Sequence, residues 1–292
     1  MKGGPGAGGS NHSALLSLLQ RVRYEVVPVG GIAEEVERWL DPAVSVTVTA
    51  SPARGLDPTI DLAVRLASLG FHVVPHLSAR LVVDLEHLRE ILTRLDEAGI
   101  RDIFVIAGDR GEPIGQYPDA LSLLSAMAAL PHGISEIGVS GYPERHPFID
   151  DDVTIQAMWD KRRFATYIVS NLCFDARVIT AWVDRVRRRG VELPIYVGVP
   201  GIADPRRLLR MAVKIGVGDS ARFLRGRKGG LLRMLLPGSH SLARLLGGLG
   251  PGLANPDLKV AGLHVFTFNE IAATERWRRR TLQELGAGRE AP

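Results

Sequence analysis

The stretch FHVVPHL (71–77), followed by VDLEHLREILTRLDEAG (83–99), decides the fold of this chain. The first segment is a short apolar run bounded by turn residues, which is typical of a buried strand. The second segment repeats apolar residues at the spacing of one helix face. These residues are Leu85, Leu88, Ile91, Leu92 and Leu95. A buried strand followed directly by an amphipathic helix is the repeating unit of parallel α/β folds.

The same unit recurs along the chain. Upstream, YEVVPV (24–29) precedes AEEVERWL (33–40), and VSVTVTA (44–50) precedes DPTIDLAVRLASLG (57–70). Downstream, five more apolar runs occur: DIFVIAG, EIGVSGY, TYIVSNL, LPIYVGV and VAGLHVFTFN. Each of them precedes a helical pattern. Eight such units over about 265 residues predict a (β/α)8 TIM barrel rather than an open doubly wound sheet.

Two segments depart from this rhythm. Residues 1–20 begin with MKGGPGAGGSNHS, which predicts a disordered Gly/Ser-rich leader without the apolar core of a signal peptide. Residues 217–257 place additional Gly- and Pro-rich helical material before the eighth strand. We therefore expect a single barrel domain over residues 21–292, with an insertion before strand eight.

The composition is that of an ordinary globular protein, with 46% hydrophobic and 23% charged residues among 292. A net charge of +4 spread along helices favours an anionic small molecule over a nucleic-acid partner. No apolar run approaches the roughly 20 residues of a membrane span. The single cysteine, Cys173, excludes an internal disulfide and fits a cytoplasmic location. The oligomeric state is left open.

Polar residues follow several of the predicted strands, at the end of a barrel where catalysis takes place. They are Glu25, Thr49, His76, Asp109, Tyr142, Glu144, His146, Asn171 and Asp175. The last two strand ends contribute the segments 198–201 and 266–269. Their spacing does not predict a metal site, and the chain has neither a GxSxG elbow nor a P-loop. We therefore expect a metal-free reaction that uses carboxylates and a bound cofactor.

The segment RYEVVPVGG (23–31) contains an acid, Glu25, within an apolar run. A carboxylate at such a position must be paired, must turn toward water, or must have an unusual pKa. If the neighbouring apolar side chains surround it, loss of solvation should raise its pKa toward the working pH. A surface ion pair with a helix cation is the alternative.

Several segments together resemble the methylenetetrahydrofolate reductase family, in the family's order and over about residues 22–285. They are YEVVP (24–28), HLSA (76–79), IAGDRGEP (106–113), GVSGYPERHPF (138–148), IVSNLCFD (168–175), LPIYVGVPGI (193–202) and GLHVFTFN (262–269). The GYPERHP part is the most specific. The resemblance implies a cytoplasmic TIM-barrel oxidoreductase of one-carbon metabolism that reduces 5,10-methylenetetrahydrofolate to 5-methyltetrahydrofolate.

The resemblance also implies roles for individual residues. Glu25 would be the general acid that protonates N10 of the folate, so that the five-membered ring opens to a 5-iminium cation. Asp109 would contact the pterin and stabilise this cation. Asn171 stands where the family has glutamine and would bind the pterin with a shorter amide. Phe223 would either stack on the folate or pack as a lid residue.

The choice of hydride donor depends on five further residues. They resemble positions that contact flavin in the family: Thr49, His76, Tyr142, His146 and Lys161. Other positions depart from the flavin-binding pattern, notably Ala107, KRRFAT (161–166) and Glu270. A short actinobacterial branch of the family transfers hydride directly from NADH without flavin. We expect NADH as the direct donor and FAD to be absent, with His76, Tyr142 and His146 lining the dinucleotide or folate pocket.

Three alternatives stay open at this point. The first is an FAD-dependent form of the same reductase. The second is a non-catalytic folate-binding barrel, in which Asn171 and Glu270 mark lost activity. The third is an unrelated barrel lyase that would use His76 and Lys161.

Overall fold

A computed structural model describes residues 7–51, 53–144, 151–203, 239–253 and 255–287. Within these ranges, eight parallel strands close into a barrel in chain order. The strands are β1 Val22–Val26, β2 Ser45–Val48, β3 Val73–Ser78, β4 Asp102–Ile106, β5 Glu136–Gly141, β6 Tyr167–Ser170, β7 Ile195–Pro200 and β8 Val260–Phe266. The prediction of a single-domain (β/α)8 barrel is confirmed.

The described helices alternate with these strands, apart from the first, which precedes β1. They are α1 Ala7–Gln20, α2 Ile32–Trp39, α3 Asp57–Ser68, α4 Leu85–Glu97, α5 Ala120–Met127, α6 Asp151–Lys161, α7 Ala176–Arg188, α8 Ser239–Leu253 and α9 Ile271–Ala287. Short 3₁₀ turns span Ala79–Leu81 and Pro256–Leu258. Each described helix is too short or too polar to cross a lipid bilayer.

Helix α1 differs from the disordered leader expected over residues 1–20. Its second half carries an apolar stripe, of which Leu18 and Leu19 are buried in the main core. The guanidinium of Arg278 on α9 also donates a hydrogen bond to the carbonyl of Leu19, at 2.7 Å. Burial of leucines against α9 and β8 outweighs the disorder that the glycine-rich composition predicts.

The insertion before β8 is described only in part. Residues 217–238 and 254 of the predicted insertion lie outside the described residues. The remainder includes helix α8, which packs against α7 and α1 through Leu242, Leu245, Leu246 and Leu249. This part of the insertion therefore completes the outer helix layer.

The inside of the barrel is a separate small core. Val74, Phe104, Tyr167 and Val169 form its apolar middle layer. Below it, at the amino ends of the strands, the guanidinium of Arg23 lies between the rings of Tyr167 and Tyr196, 4.3 and 4.0 Å from their centroids. The barrel is therefore filled at its middle and lower levels.

The charge of Arg23 is compensated inside the barrel. Its Nη2 lies 3.0 Å from Oδ2 of Asp102, and the Tyr167 hydroxyl donates to Oδ1 of the same carboxylate at 2.6 Å. Burial raises the pKa of Asp102 to about 6, although Arg23 and Tyr167 lower it. This hydrogen-bonded group fills the amino-terminal end of the barrel interior.

Gly198 on β7 is a position where the barrel leaves no room for a side chain. A Cβ there would lie 2.3 Å from the carbonyl oxygen of Ser170 and 2.8 Å from that of Asn171. Gly198→Ala should therefore lower the free energy of unfolding by about 1–3 kcal/mol, measured by urea denaturation. The control is Gly247→Ala on α8, where a Cβ meets nothing within 4 Å and where alanine should stabilise by about 0.5–1 kcal/mol. Equal effects of the two changes would contradict this account.

Candidate active site

Glu25 lies inside the barrel, at the carboxyl end of β1. Side chains alternate along a strand, so Tyr24 and Val26 face the helices while Glu25 faces the interior. The Tyr24 hydroxyl accordingly donates to Glu275 of α9 in the outer layer, at 2.9 Å. The Glu25 side chain is 16% exposed. The outward-facing surface ion pair considered for this acid is therefore not what the structure shows.

Two imidazoles flank the Glu25 carboxylate. His264 of β8 places its Nε2 3.0 Å from Oε2 of Glu25, within hydrogen-bond distance. His76 of β3 places its Nε2 3.9 Å from the same oxygen, and this nitrogen has no hydrogen-bond partner among the described residues. Both histidines are almost fully buried. The three side chains form a polar cluster, which we call the Glu25 cluster.

The electrostatics of this cluster differ from the sequence-based expectation. Burial by itself raises the pKa of Glu25, but the hydrogen bond from His264 and the proximity of His76 lower it by more. The pKa of Glu25 therefore lies below its ordinary value, and the predicted rise is wrong for the protein without ligand. The prediction assumed that the residues next to Glu25 in the sequence surround its side chain. Tyr24 and Val26 instead face the opposite side of the strand.

The Glu25 cluster also brings together three groups that are able to bind metals. One donor atom from each of Glu25, His76 and His264 lies within 4.8 Å of the others. The hydrogen bond from His264 already engages Oε2 of Glu25. We therefore describe the three side chains as an acid–imidazole group, in which His264 is hydrogen-bonded to Glu25 and His76 lies close to it without a hydrogen bond. No metal-ligand spacing was visible in the sequence because the three residues come from strands far apart in the chain.

The turn after β8 fixes the backbone around Glu25. The Thr267 hydroxyl donates to the carbonyl of Glu25 at 2.5 Å. The Asn269 amide accepts from the backbone N–H of Val27 at 2.8 Å and donates to the carbonyl of Val27 at 3.0 Å. Asn269 and Phe268 have left-handed backbone conformations, with φ of 63° and 54°. Strained backbone of this kind clusters at functional sites.

Asp109 and Tyr142 lie at the mouth of the barrel. Asp109 is exposed in the turn after β4, where Gly108 has a φ of 92° and Oγ of Ser78 occupies the space of a side chain. Tyr142 directly follows β5 and is half-buried. Burial raises the pKa of Tyr142, and the charge of Asp109 raises it further. Both residues lie in turns that follow neighbouring strands at the mouth of the barrel.

Thr49 and Asn171 lie at two other strand ends. The backbone N–H of Thr49 donates to the carbonyl of Val26 at 2.9 Å, which places Thr49 beside the end of β1. Oδ1 of Asn171 accepts from the N–H of Leu172 at 2.8 Å. The side-chain oxygen of Asn171 is therefore bound to the backbone of the next residue. The amide nitrogen of the side chain is the group that can face a ligand.

Among the described residues, Lys161 is a predicted site residue that lies outside the Glu25 cluster. Lys161 ends α6 and is buried. Burial lowers its pKa, while Asp119 at the start of α5 and Asp160 raise it. It therefore belongs to the helix layer. His146 and Phe223 lie outside the described residues.

The sequence analysis missed His264 as part of the site, whereas Thr267 and Asn269 lay within the strand-end segment 266–269 without a stated role. The segment GLHVFTFN places this histidine inside an apolar strand. An isolated polar residue in a buried strand was the signal that drew attention to Glu25. The same signal applied to β8 would have found His264.

The fold and the cluster define a (β/α)8 barrel with an acid–imidazole group at its catalytic end. The family model described as methylenetetrahydrofolate reductase matches residues 31–218, more than half of the chain. The chain belongs to the methylenetetrahydrofolate reductase family. The matched range includes His76, Asp109, Tyr142 and Asn171, whereas Glu25 and His264 lie outside it.

Individual relatives agree with this family. Methylenetetrahydrofolate reductase 1 of Schizosaccharomyces pombe is 30% identical over 150 residues, covering 48% of this chain and 24% of that protein. The 5,10-methylenetetrahydrofolate reductase of Pectobacterium carotovorum is 28% identical over 156 residues, covering 51% of this chain and 50% of that protein. These matches span half or less of the length of the curated relatives.

A solved structure shares the fold. It is an uncharacterized protein from Clostridium thermocellum that binds two copies of 5-methyl-5,6,7,8-tetrahydrofolic acid. It matches with a TM-score of 0.66 at 10% sequence identity, covering 93% of this chain and 98% of that one. At this identity the likeness shows the barrel fold alone.

The buried imidazole of His76 makes the stability of the protein depend on pH. Burial lowers the pKa of His76 to about 4, although the charge of Glu25 raises it. An unfolded chain binds this proton near pH ~6.5. Between about pH 6.5 and 4 the unfolded state therefore holds one more proton than the folded state. As the pH decreases through this range, the free energy of unfolding decreases by up to about 3 kcal/mol.

We expect His76→Gln to flatten this dependence. Urea denaturation of the wild type and the variant at a series of pH values measures it. The control His132→Gln, in the loop before β5, should keep the slope of the wild type. Parallel curves for wild type and His76→Gln would show that His76 does not have the lowered pKa.

Proposed function

We propose that this protein reduces 5,10-methylenetetrahydrofolate to 5-methyltetrahydrofolate with hydride from NADH. The observation that carries the proposal is the place of Glu25, a half-buried carboxylic acid inside the barrel at the end where barrel enzymes act. Membership of the reductase family supports the substrate class. The folate bound by the barrel from Clostridium thermocellum is consistent with it.

Glu25 acts as the general acid in this proposal. It transfers a proton to N10 of the folate, the bond between N10 and the bridging carbon breaks, and a 5-iminium cation forms. This cation accepts hydride from NADH. Asp109, exposed at the mouth, provides a negative charge for the cationic intermediate.

The proton must reach Glu25 during the catalytic cycle. In the free protein the two imidazoles favour the ionised carboxylate. A pterin that covers the mouth removes the remaining contact of this carboxylate with water, which disfavours its charged form and raises its pKa. Folate binding should therefore be accompanied by uptake of one proton from solvent at Glu25.

Two of the five positions that resemble flavin contacts, His76 and Lys161, are buried. His76 is 2% exposed and packs edge-on against Phe104, with ring centroids 4.8 Å apart. Lys161 is 8% exposed in the helix layer. Neither side chain offers surface to an isoalloxazine or a diphosphate in this arrangement. The proposal of NADH as the direct hydride donor rests on the departures from the family's flavin-binding pattern at Ala107, residues 161–166 and Glu270.

The most direct test of the function is an anaerobic assay of NADH oxidation with 5,10-methylenetetrahydrofolate, with and without added FAD. We expect folate-dependent oxidation of NADH by a colourless protein, at a rate that FAD does not change. A yellow protein, or turnover only with FAD, would establish the flavin-dependent form. Folate binding without any NADH oxidation would establish a non-catalytic folate-binding barrel.

Glu25→Gln tests the acid. The amide keeps the size of the side chain but cannot donate the proton, so turnover should fall by about 10²–10⁴-fold while folate still binds. Proton uptake on folate binding, measured by calorimetry in buffers of different ionisation enthalpy, should disappear as well. The control is Glu34→Gln, an exposed residue paired with Arg65 on the outer surface. Near-normal turnover of Glu25→Gln would rule out the acid role.

The barrel lyase considered as an alternative is not favoured. A lysine that forms a Schiff base must meet the substrate at the mouth of the barrel, and Lys161 is buried at the end of α6.

A further inference from the structure

Strand β8 and the turn that follows it contact the end of β1 at three points. His264 contacts the side chain of Glu25, Thr267 binds its carbonyl, and Asn269 binds both backbone groups of Val27. The backbone bonds fix where the Cα of Glu25 lies. The contact with His264 fixes where its carboxylate points.

The hydrogen-bond partners of the His264 ring favour one tautomer of the imidazole. Its Nε2 faces Oε2 of Glu25, whereas its Nδ1 is buried without a hydrogen-bond partner among the described residues. A proton on Nδ1 would be buried and unpaired, which is unfavourable. We therefore assign the tautomer with the proton on Nε2, which donates to Oε2 of Glu25.

We propose that His264 is the positioning residue of the acid: its Nε2–H holds Oε2 of Glu25, so that Oε1 carries the proton to the folate. This inference rests on the proposed function and adds a residue to it. His264 is 1% exposed and Glu25 is 16% exposed. The substrate therefore meets Glu25, and His264 acts through it from below.

The proton balance of the step is simple. The O–H bond of Oε1 breaks, the proton goes to N10 of the folate, and the C–N bond of the ring opens to the iminium. The carboxylate that remains keeps the hydrogen bond from His264, which is stronger to an ionised acceptor than to a neutral one. His264 therefore stabilises the state that follows proton transfer, and it makes Glu25 a stronger acid.

The charged surroundings of Glu25 are limited. Among the described residues the titratable groups that face it are His264 of β8 and His76 of β3. Arg23 lies two residues earlier on β1 and pairs with Asp102 of β4. Asp109 and Tyr142 lie at the mouth, after β4 and β5. His264 is the group of this set that hydrogen-bonds to the carboxylate.

Variants of His264 separate positioning from a purely structural role. His264→Leu removes the donor, and His264→Asn has an amide too short to reach Oε2. In both variants kcat should fall about tenfold or more. KM for the folate should change little, because His264 does not touch the ligand. The alkaline limb of the kcat profile should move up by about one pH unit, because the pKa of Glu25 rises when it loses the donor.

Two further variants provide the matched controls. His264→Gln keeps an N–H near the position of Nε2 and should restore the alkaline limb of the wild type. Val265→Ala removes buried volume from the outer face of the same strand, so it should lower stability without moving the limb. The proposal is overturned if the alkaline limb of the kcat profile stays in place in both His264→Leu and His264→Asn. It is also overturned if His264→Gln or Val265→Ala moves this limb as far as His264→Leu does.

An infrared titration of the Glu25 carboxyl gives a readout that needs no turnover. The carboxyl band is isolated by subtracting the spectrum of Glu25→Gln. It should titrate at higher pH in His264→Leu and His264→Asn than in the wild type, and an unchanged midpoint overturns the proposal. If the wild type lacks reductase turnover but the midpoint still moves, the proposed function fails while the role of His264 in holding Glu25 stands.

Discussion

The hydrogen bond between Glu25 and His264 is the interaction on which the site depends. It joins the first strand of the barrel to the last, so it exists only when the sheet is closed. Parallel pairing of β1 with β8 sets Glu25 opposite Phe266, and His264 two residues earlier faces the same interior. The geometry of one acid therefore depends on the register of the whole barrel.

The lower half of the barrel supports this arrangement by excluding water. Arg23, Asp102 and the two tyrosines close the amino-terminal end with paired charges and stacked rings. Above them, Phe104 packs edge-on against His76, and Phe266 packs edge-on against His264. The Glu25 cluster rests on a filled interior and is open toward the mouth. This is the environment in which small changes of solvation shift a pKa strongly.

Much of the fold follows from local patterns. Alternation of apolar runs with amphipathic helices predicted the barrel, because each unit carries its own periodicity. The helix α1 was not predicted because the glycine-rich composition of the leader outweighed the short row of leucines that ends in Leu18 and Leu19. A short stripe forms a helix only when another surface covers it. That surface comes from β8, α8 and α9, at the far end of the sequence.

The site could be predicted only in part for the same reason. Glu25 stands out because an acid in an apolar strand is costly wherever it occurs. Its neighbours come from β3 and β8, so neither the two imidazoles nor the sign of its pKa shift can be read from its own segment. Asp109 and Asn171 were predicted from the rule that barrel chemistry lies at strand ends, and the structure places both after strands. His264 lies within β8 and not after its end, so that rule does not select it.

A crystal structure of the protein with bound 5-methyltetrahydrofolate tests the central claim most directly. The account predicts N10 of the folate within about 2.6–3.2 Å of Oε1 of Glu25, with Oε2 still accepting the hydrogen bond from His264. A folate bound elsewhere, or a Glu25 carboxylate turned away from N10 in the complex, would contradict it.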